Sequence, residues 1–258
     1  LVLHRADVDK ADNKGFTPLY VACQEGHREV VRLLVNVGAS VDNAMGSDCT
    51  PLFIACYRNN TDVVEVLVNA GASVNQAKRD GGVTPLFIAC QRGYASIAKL
   101  LVSAGASLDQ ATDDGFTPLF VACQEGHLEV VLLLMNAGAS VVRADGDEGV
   151  TPLFIACQKG HQEVAEVLVA AKASVDQATD NGFTPLLIAC QEGHLDVAEV
   201  LVTAGASVDQ VENNGCTPLY IACQNCHPDV AQLLVEAGAS VDQARNNGVT
   251  PLLFACQE

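Results

Sequence analysis

Cysteine and histidine are the residues whose spacing in this chain could do chemistry. Cys223, Cys226 and His227 spell C-x-x-C-H, the pattern of covalent haem attachment, which also contains the C-x-x-C pair of redox sites. A cysteine also stands four residues before a histidine elsewhere, as in Cys123 and His127, and such a pair could join a nucleophile to its base. Both patterns fall on positions that recur along the whole chain. We therefore predict structural cysteines and histidines, no haem or other cofactor, and no catalytic residue.

Most of the cysteines form one regular series, the cysteine row. Its members stand six residues after a repeated threonine, and they are Cys23, Cys56, Cys90, Cys123, Cys157, Cys190, Cys223 and Cys256. Stacked helices lie about 8–10 Å apart, whereas a disulfide needs Cα atoms within about 7 Å, so the row can neither pair along itself nor share a metal. We expect it to be buried and reduced, which favours a reducing, cytoplasmic compartment. Cys49 and Cys216, just before repeated threonines, are expected to react more readily.

Other reaction and ligand motifs are missing from the sequence. It contains no phosphate-binding glycine loop after a strand, no G-x-S-x-G and no H-E-x-x-H. The acidic stretch from Asp145 to Gly149 lacks the alternating oxygen ligands and the distal glutamate of a calcium loop. Weak calcium binding there stands as the alternative to a solvated turn. We predict no metal site and no enzyme activity.

A threonine-proline pair organises the chain. The threonines are separated by 33 or 34 residues, and they are Thr17, Thr50, Thr84, Thr117, Thr151, Thr184, Thr217 and Thr250. A fixed period in this range predicts stacked supersecondary repeats and not one globular core.

Each repeat is predicted to contain two short helices. Thr117 can cap a first helix, Pro118 suits its first position, and Gly126 ends the turn that follows. The run from Leu128 to Asn136 predicts a second helix, with Gly138 as its left-handed end. Both helices are shorter than the roughly 12–15 residues that an isolated helix needs, so the repeats must stack. The predicted fold class is an all-α repeat solenoid.

The order G-x-T-P-L-x-x-A-x-x-x-G-H, followed by E-V-V-x-x-L and G-A-x-V, resembles the ankyrin repeat over essentially the whole chain. The resemblance implies helix–turn–helix repeats with hairpin-like finger loops. It also implies a non-catalytic binding surface, formed by the finger tips and the inner face of the first helix.

Two features depart from that family pattern. Lys172 stands where the second helix of other repeats is followed by glycine, in a conformation that costs a side chain about 1–2 kcal/mol. The family's histidine after T-P-L, which bonds the threonine, is replaced throughout. The replacements are interpreted in one of two ways. They are either buried between neighbouring repeats or form an aromatic strip that partners touch. The residues concerned are Tyr20, Phe53, Phe87, Phe120, Phe154, Leu187, Tyr220 and Leu253.

Aligned to the period, residues 1–258 form a single repeat domain. Residues 1–10 are predicted to end a preceding repeat and 244–258 to begin a partial one, so we expect a segment of a longer array. The complete repeats are predicted at 11–43, 44–77, 78–110, 111–144, 145–177, 178–210 and 211–243. We expect a mostly monomeric protein that frays or associates end to end through Leu1, Val2, Leu3, Leu252, Leu253 and Phe254.

Charge and hydropathy limit the classes of partner. The formal net charge is −17 at pH 7, which argues against a nucleic-acid ligand and permits a basic partner. A solvated, solubilising surface is the simpler interpretation of this charge. No apolar run approaches the roughly 18 residues of a membrane span, and no signal peptide is visible.

The exposed variable positions are where we expect binding. A glutamine follows the row cysteine in most repeats, which indicates either a polar groove or recent duplication of one ancestral repeat. Our hypothesis places the partner, a protein segment with basic residues, along the central repeats. The predicted contacts are Asp113, Asp114, Phe116, Gln124, Glu125, Gln158, Lys159, Asp180, Asn181, Gln191 and Glu192.

Two function classes follow from these observations. The first is a non-catalytic scaffold that binds a protein partner along its concave face and finger loops. The alternative is the targeting or regulatory segment of a larger enzyme or channel whose active domain lies outside these residues. A designed consensus array would fit the uniformity of the repeats, but free cysteines and missing caps disfavour it.

Overall fold

The computed structural model describes residues 7–46, 49–142 and 148–255, with side chains described as far as residue 253. The expectations for Leu1, Val2, Leu3, Phe254 and Cys256 therefore lie outside the described side chains. Within the described part the chain forms fifteen α-helices: α1 (Pro18–Gln24), α2 (Arg28–Asn36), α3 (Pro51–Tyr57), α4 (Thr61–Asn69), α5 (Pro85–Gln91), α6 (Ala95–Ser103), α7 (Pro118–Gln124), α8 (Leu128–Ala137), α9 (Pro152–Gln158), α10 (Gln162–Ala170), α11 (Pro185–Glu192), α12 (Leu195–Thr203), α13 (Pro218–Gln224), α14 (Pro228–Glu236) and α15 (Pro251–Ala255).

The first helix of each repeat begins as the threonine-proline pair predicts. The Thr184 hydroxyl accepts a hydrogen bond from the backbone N–H of Leu187 at 3.2 Å, and Pro185 occupies the first helical position. The same bond forms at the other repeated threonines, and the hydroxyl of each satisfies an N–H that has no partner inside the helix.

The second helix of each repeat ends at a residue with a left-handed backbone. Gly138, which follows α8, has a φ of +97°, as the sequence predicts. At the equivalent position after α10, Lys172 adopts a φ of +67°, so the lysine takes the glycine conformation and the turn keeps its shape. The loop between the two helices of a repeat also contains a residue with a left-handed backbone. In two repeats this residue is not glycine, because Asn59 has a φ of +61° and Cys226 a φ of +57°.

The helices are grouped in two compact units, each described by itself. Unit 1 comprises Leu1–Ala122 with Glu129–Ala139, and unit 2 comprises Cys123–Leu128 with Ser140–Glu258. In unit 1 the first helices α1, α3 and α5 pack in sequence, and α2, α4 and α6 form a second layer against them. In unit 2 the helices α9, α11, α13 and α15 form one layer, and α10, α12 and α14 form the other. Each repeat therefore buries its apolar faces against its neighbours, as an all-α repeat solenoid requires.

The core consists of the inward-facing residues of both layers. In α9, Leu153 and Cys157 are fully buried, and the row cysteines from Cys23 to Cys190 are buried as predicted. The residues after T-P-L are buried too, since Phe154 is 6% exposed and Leu187 is 0% exposed. The replacements for the family's histidine are therefore packing residues. The alternative of an aromatic strip that partners touch is wrong for the repeats up to Tyr220, whereas Leu253 is 50% exposed.

A side-chain bond links neighbouring repeats next to the left-handed turns. In unit 2, a carboxylate oxygen of Asp176 accepts the backbone N–H of Ser207 at 2.9 Å, and Asp209 accepts the N–H of Ser240 in the same way. In unit 1 the equivalent acceptors are Asp9 to Ser40, Asp42 to Ser73 and Asn75 to Ser107. Donor and acceptor stand about one repeat apart, so each bond fixes the spacing between two repeats.

Val142 interrupts this series and suggests a stabilising change. Its side chain occupies the acceptor position, is 55% exposed, and has no atom that could accept the N–H of Ser174. We expect Val142→Asp to raise the free energy of unfolding by about 1 kcal/mol through the added bond. Val142→Asn should also stabilise, because Asn75 performs the same role. Val142→Lys is the matched control, polar but without an acceptor, and a gain as large for lysine in urea unfolding would contradict the explanation.

Within the described ranges 7–46, 49–142 and 148–255, no helix has the length and apolar character needed to cross a membrane.

Candidate functional site

The finger loops are the connectors that precede each repeated threonine, and neighbouring finger loops are joined by backbone hydrogen bonds. In unit 1 the N–H of Asp113 donates to the carbonyl of Gly81 at 3.1 Å, and in unit 2 the N–H of Asp180 donates to that of Glu148 at 3.1 Å. The next finger repeats the pattern, because Asn213 N–H donates to Asn181 O at 3.3 Å. The backbone of each finger is thus positioned by its neighbour, while the side chains of Asp113, Asp114, Asp180 and Asn181 are exposed.

Three loop histidines position members of the glutamine row, which is the set of glutamines that directly follow a row cysteine. In the described part of unit 2 the row consists of Gln124, Gln158, Gln191 and Gln224. Nε2 of His161, His194 and His227 lies 3.0 to 3.1 Å from the backbone carbonyl of Gln124, Gln158 and Gln191 respectively. Because a carbonyl oxygen only accepts, each ring must carry a proton on Nε2. In unit 1 the side-chain amide of Asn60 donates the equivalent bond to the carbonyl of Gln24 at 3.1 Å, and it also donates to the carbonyl of Cys23 at 2.8 Å. These three histidines are structural, as the repetition of C-x-x-x-H predicts, because each ring bonds a carbonyl of the preceding repeat. His227, the histidine of the C-x-x-C-H sequence, is one of them.

The glutamine side chains of unit 2 are partly engaged by their neighbours. Gln124 and Gln191 each donate from Nε2 to the carboxylate of the next residue, Glu125 and Glu192, at 3.0 Å. Gln124, Gln158 and Gln191 are half-buried, whereas the residues that follow them, Glu125, Lys159 and Glu192, are exposed. The residues that follow these glutamines therefore present two carboxylates and one ammonium group to solvent, and each carboxylate is hydrogen-bonded to the glutamine before it.

A polar cleft of about 440 Å³ lies between the fingers and first helices at one end of this row. The cleft brings together two of the residues predicted from sequence, Gln191 and Glu192, with eight that were not predicted. Those eight are Phe183, Glu212, Asn214, Cys216, Ile221, Gln224, Asn225 and Arg245. Carboxylate, amide and guanidinium groups in one concave surface can bind a polar, charged segment.

Glu212 is the central residue of the cleft that the sequence interpretation missed. It is only 4% exposed, and its carboxylate accepts the N–H of Asn214 at 2.8 Å and that of Cys216 at 3.1 Å. Burial raises the pKa of Glu212, but the bonds from Asn214 and Cys216 outweigh burial, so its pKa lies below the ordinary value. A signal existed, because Thr112 and Thr179 stand at the same position and accept equivalent finger N–H groups.

Cys216 is buried against this carboxylate, which corrects the expectation that it would react readily. The residue is 6% exposed, and burial, followed by the hydrogen bond and charge of Glu212, raises the pKa of its thiol to about 11. The turn before the threonine thus folds inward in this repeat. Cys49 in unit 1 is half-buried, with its Sγ 3.4 Å from the hydroxyl oxygen of Tyr20, and its reactivity stays a prediction.

The remaining predicted contacts lie in unit 1. Asp113 and Asp114 are exposed, but Phe116 is half-buried and its ring stacks on Phe120 at a centroid distance of 4.9 Å and an interplanar angle of 23°. Only part of the Phe116 ring is therefore open to a ligand. The other eight predicted residues lie in unit 2.

Metal ligation has no support among the described residues. Within them, no three histidine, cysteine, aspartate or glutamate side chains are close enough together to hold a metal ion. Residues 145–147 of the acidic loop considered for calcium lie outside the described ranges.

Family models match most of the chain. A model described as ankyrin repeats in three copies matches residues 1–78, 75–145 and 142–211, and another for ankyrin repeats in many copies matches residues 189–235. Among solved structures, the human ASB11 ankyrin repeat domain is similar with a TM-score of 0.76 and 25% identity. That likeness covers 87% of this chain and 99% of the other.

Among curated proteins, the similarity is more local. Protein phosphatase 1 regulatory subunit 27 of Homo sapiens and of Mus musculus are each 41% identical over 39 residues. The match covers 15% of this chain and 25% of each relative. With family models covering far more than half of its length, the chain belongs to the ankyrin repeat family.

Proposed function

We propose that this protein is a non-catalytic scaffold that binds a protein segment through the glutamine row and finger loops. Ankyrin repeats are generally protein-interaction modules, and this family membership supports the class of function. The observation that carries the location is the set of exposed charged groups on Glu125, Lys159 and Glu192, held on first helices that neighbouring repeats position.

The partner that fits this surface is a segment with basic residues. Glu125 and Glu192 present exposed carboxylates, and the cleft beside Gln191 adds the ionised carboxylate of Glu212. Lys159 lies on the row between the two glutamates, so a ligand with alternating basic and polar residues matches the charges better than a uniformly basic one. Exposed charges contribute only about 1 kcal/mol each at most, so the binding surface must extend over several repeats.

The proposal extends to the organisation and location of the chain. Nucleic acid, membrane and haem are not proposed as ligands, because the net charge is −17 and His227 is engaged with Gln191. The proposed protein is mostly monomeric, and its repeats have the boundaries that the period of the threonines predicts. The row cysteines from Cys23 to Cys190 are buried in the helix layers as small core residues, which supports a reducing, cytoplasmic compartment.

The location of the surface can be tested with a fluorescein-labelled ten-residue peptide of alternating lysine and serine. Fluorescence anisotropy at about 50 mM salt, where screening is weak, should show binding by the wild-type protein. We expect Glu125→Lys with Glu192→Lys to weaken binding at least about tenfold, which corresponds to about 1.4 kcal/mol.

The matched control reverses the same number of charges on second helices of unit 2. Glu163 and Glu199 are exposed there, so Glu163→Lys with Glu199→Lys changes the net charge equally without touching the row. We expect this pair to weaken the peptide by no more than its long-range charge effect, about twofold. An equal loss from both pairs would show attraction to the whole anionic chain and would overturn the proposed location.

A second candidate function is a regulatory segment of a larger enzyme or channel. The observation in its favour is the 39-residue similarity to a protein described as a phosphatase regulatory subunit, although the match covers only a quarter of that relative. The reading frame of the gene distinguishes the two, because this candidate requires a catalytic or channel domain in the same polypeptide.

A further inference from the structure

Unit 1 carries a cationic and aromatic cluster at the position where other repeats have the glutamine row. Tyr57 replaces the glutamine and is 39% exposed. The guanidinium carbon of Arg92 lies 4.8 Å from the centre of the Tyr57 ring, and that of Arg58 lies 6.0 Å from it. Nζ of Lys78, from the following repeat, lies 5.5 Å from the centre of the Phe53 ring, and Phe53 belongs to the same helix as Tyr57. We call Tyr57, Arg58, Lys78 and Arg92 the basic patch.

The two arginines of the basic patch form no ion pair within the described ranges of the chain. Neither guanidinium lies within ion-pair distance of a carboxylate among the described residues, and both side chains are exposed. Arginines elsewhere in unit 1 behave differently, since Arg28 pairs with Glu65 at 3.7 Å and Arg32 with Glu29 at 3.5 Å. In a chain with 31 acidic and 14 basic residues, two unpaired arginines beside one ring are a local reversal of the overall charge.

Stacking leaves these guanidinium groups ready to bind an anion. A guanidinium that lies over an aromatic face is held by the ring quadrupole, while its N–H groups stay at the edge. The planar fork of N–H donors matches the two oxygens of a carboxylate, which gives bidentate, charge-assisted hydrogen bonds. Two such forks within about 6 Å of one ring fit a ligand with neighbouring carboxylates.

We propose that the basic patch binds an acidic segment of a partner protein, rich in aspartate or glutamate. This surface differs from the one proposed in unit 2, both in location and in the charge that it selects. The inference rests on the proposed function only in treating the chain as a peptide-binding scaffold. Charge complementarity identifies the occupant, because the rest of the chain, at a net charge of −17, repels such a segment and leaves the patch as the attractive region.

The test uses a fluorescein-labelled deca-glutamate peptide and fluorescence anisotropy at about 50 mM salt. We expect binding by the wild-type protein, and a loss of at least about tenfold in Arg58→Glu with Arg92→Glu. The milder pair Arg58→Gln with Arg92→Gln should also weaken binding. This pair replaces the charge-reversal pair in the test if the charge-reversal variant does not fold. Tyr57→Phe should bind as the wild type does, whereas Tyr57→Ala should bind several-fold more weakly because the stacking face is lost.

The matched control is Arg32→Glu with Lys99→Glu, which makes the same charge change on the exposed second helices of unit 1. We expect less than about a threefold effect from this pair. Absence of binding, or equal weakening by the control pair, would overturn the proposal. An oligothymidylate of the same charge that bound more tightly than deca-glutamate through Arg58 and Arg92 would overturn the assignment to a protein partner.

The two proposed surfaces can fail independently. The lysine-serine peptide is expected to respond to Glu125 and Glu192 and to be indifferent to Arg58 and Arg92, and the deca-glutamate peptide should show the reverse. If only deca-glutamate binding fails, the basic patch is wrong and the unit 2 surface stands. If only the basic peptide fails, the proposed function in unit 2 is wrong and the patch stands.

Discussion

Replacing Gly182 with alanine is expected to lower the free energy of unfolding by about 3 kcal/mol, whereas Gly205→Ala should lower it by only about 1 kcal/mol. Both glycines have left-handed backbones, with φ of +81° and +89°. A Cβ at Gly182 would lie 2.8 Å from Oδ1 and 3.0 Å from the backbone N of Asn213, while a Cβ at Gly205 meets nothing within 4 Å. The difference between the two variants therefore measures the close approach of neighbouring fingers.

Urea unfolding of both variants checks this prediction, and hydrogen exchange locates the effect. Because the N–H of Asn213 donates to the carbonyl of Asn181, separation of the fingers in Gly182→Ala should remove the protection of that amide. Lys172 supports the small effect expected at Gly205, since it occupies the equivalent position in the preceding repeat with a side chain and a φ of +67°. Equal losses in the two variants would mean that backbone strain alone decides, and that the finger contact contributes nothing.

The features that could be predicted from sequence are those that depend on residues close together in the chain. Thr184 and Pro185 specify the start of a helix because the hydroxyl, the fixed proline φ and the capped N–H lie within four residues. The left-handed stop at Gly138 is equally local, and even the exception at Lys172 could be placed from its register.

Contacts between repeats could be predicted less well, because donor and acceptor stand about one repeat apart. The series of bonds represented by Asp176 and Ser207 shows in the sequence only as aspartate at a fixed position, which is also consistent with a solvated turn. Glu212 illustrates a different limit, because its donors Asn214 and Cys216 are close in sequence, yet a glutamate in a polar loop predicts exposure until the loop backbone is seen to donate to it.

The candidate site contains some residues that could be predicted from the sequence and others that could not. The exposed residues that follow the glutamine row, such as Glu125 and Glu192, could be named from their spacing after the cysteines. The cleft that contains Glu192 depends on how the next finger, with Glu212 and Arg245 nearby, lies against the first helices. Phe116 was predicted as a contact from its place beside the finger loop, and its stacking on Phe120, four residues later in the same repeat, was not predicted.

The cysteines give the second large effect, because their exposure differs widely and burial raises the pKa of the covered thiols. Cys226 is exposed in the loop between α13 and α14, whereas Cys216 is buried and the pKa of its thiol is raised to about 11. Burial also raises the pKa of Cys23 to about 12, and it raises the pKa of Cys223, which is half-buried. Only thiolate reacts with a disulfide reagent, so a thiol with a pKa three units above the buffer pH is ionised about one part in a thousand.

We therefore expect native protein at pH 8 to show a fast thiol reaction at Cys226 and a reaction at least about a hundredfold slower at Cys216. Titration with a chromogenic aromatic disulfide, followed by absorbance, measures both rates. Cys226→Ser should remove one equivalent from the fast phase, and Cys216→Ser, the matched control, should leave that phase unchanged. Raising the pH toward 11 should accelerate the slow phase, because the thiolate fraction of a group with a raised pKa grows only there.

Retention of the full fast phase in Cys226→Ser would show that the exposed loop thiol is not the reactive one. A slow Cys226 would also leave the C-x-x-C-H sequence without a reactive thiol, since Cys223 is half-buried and His227 is bonded to Gln191.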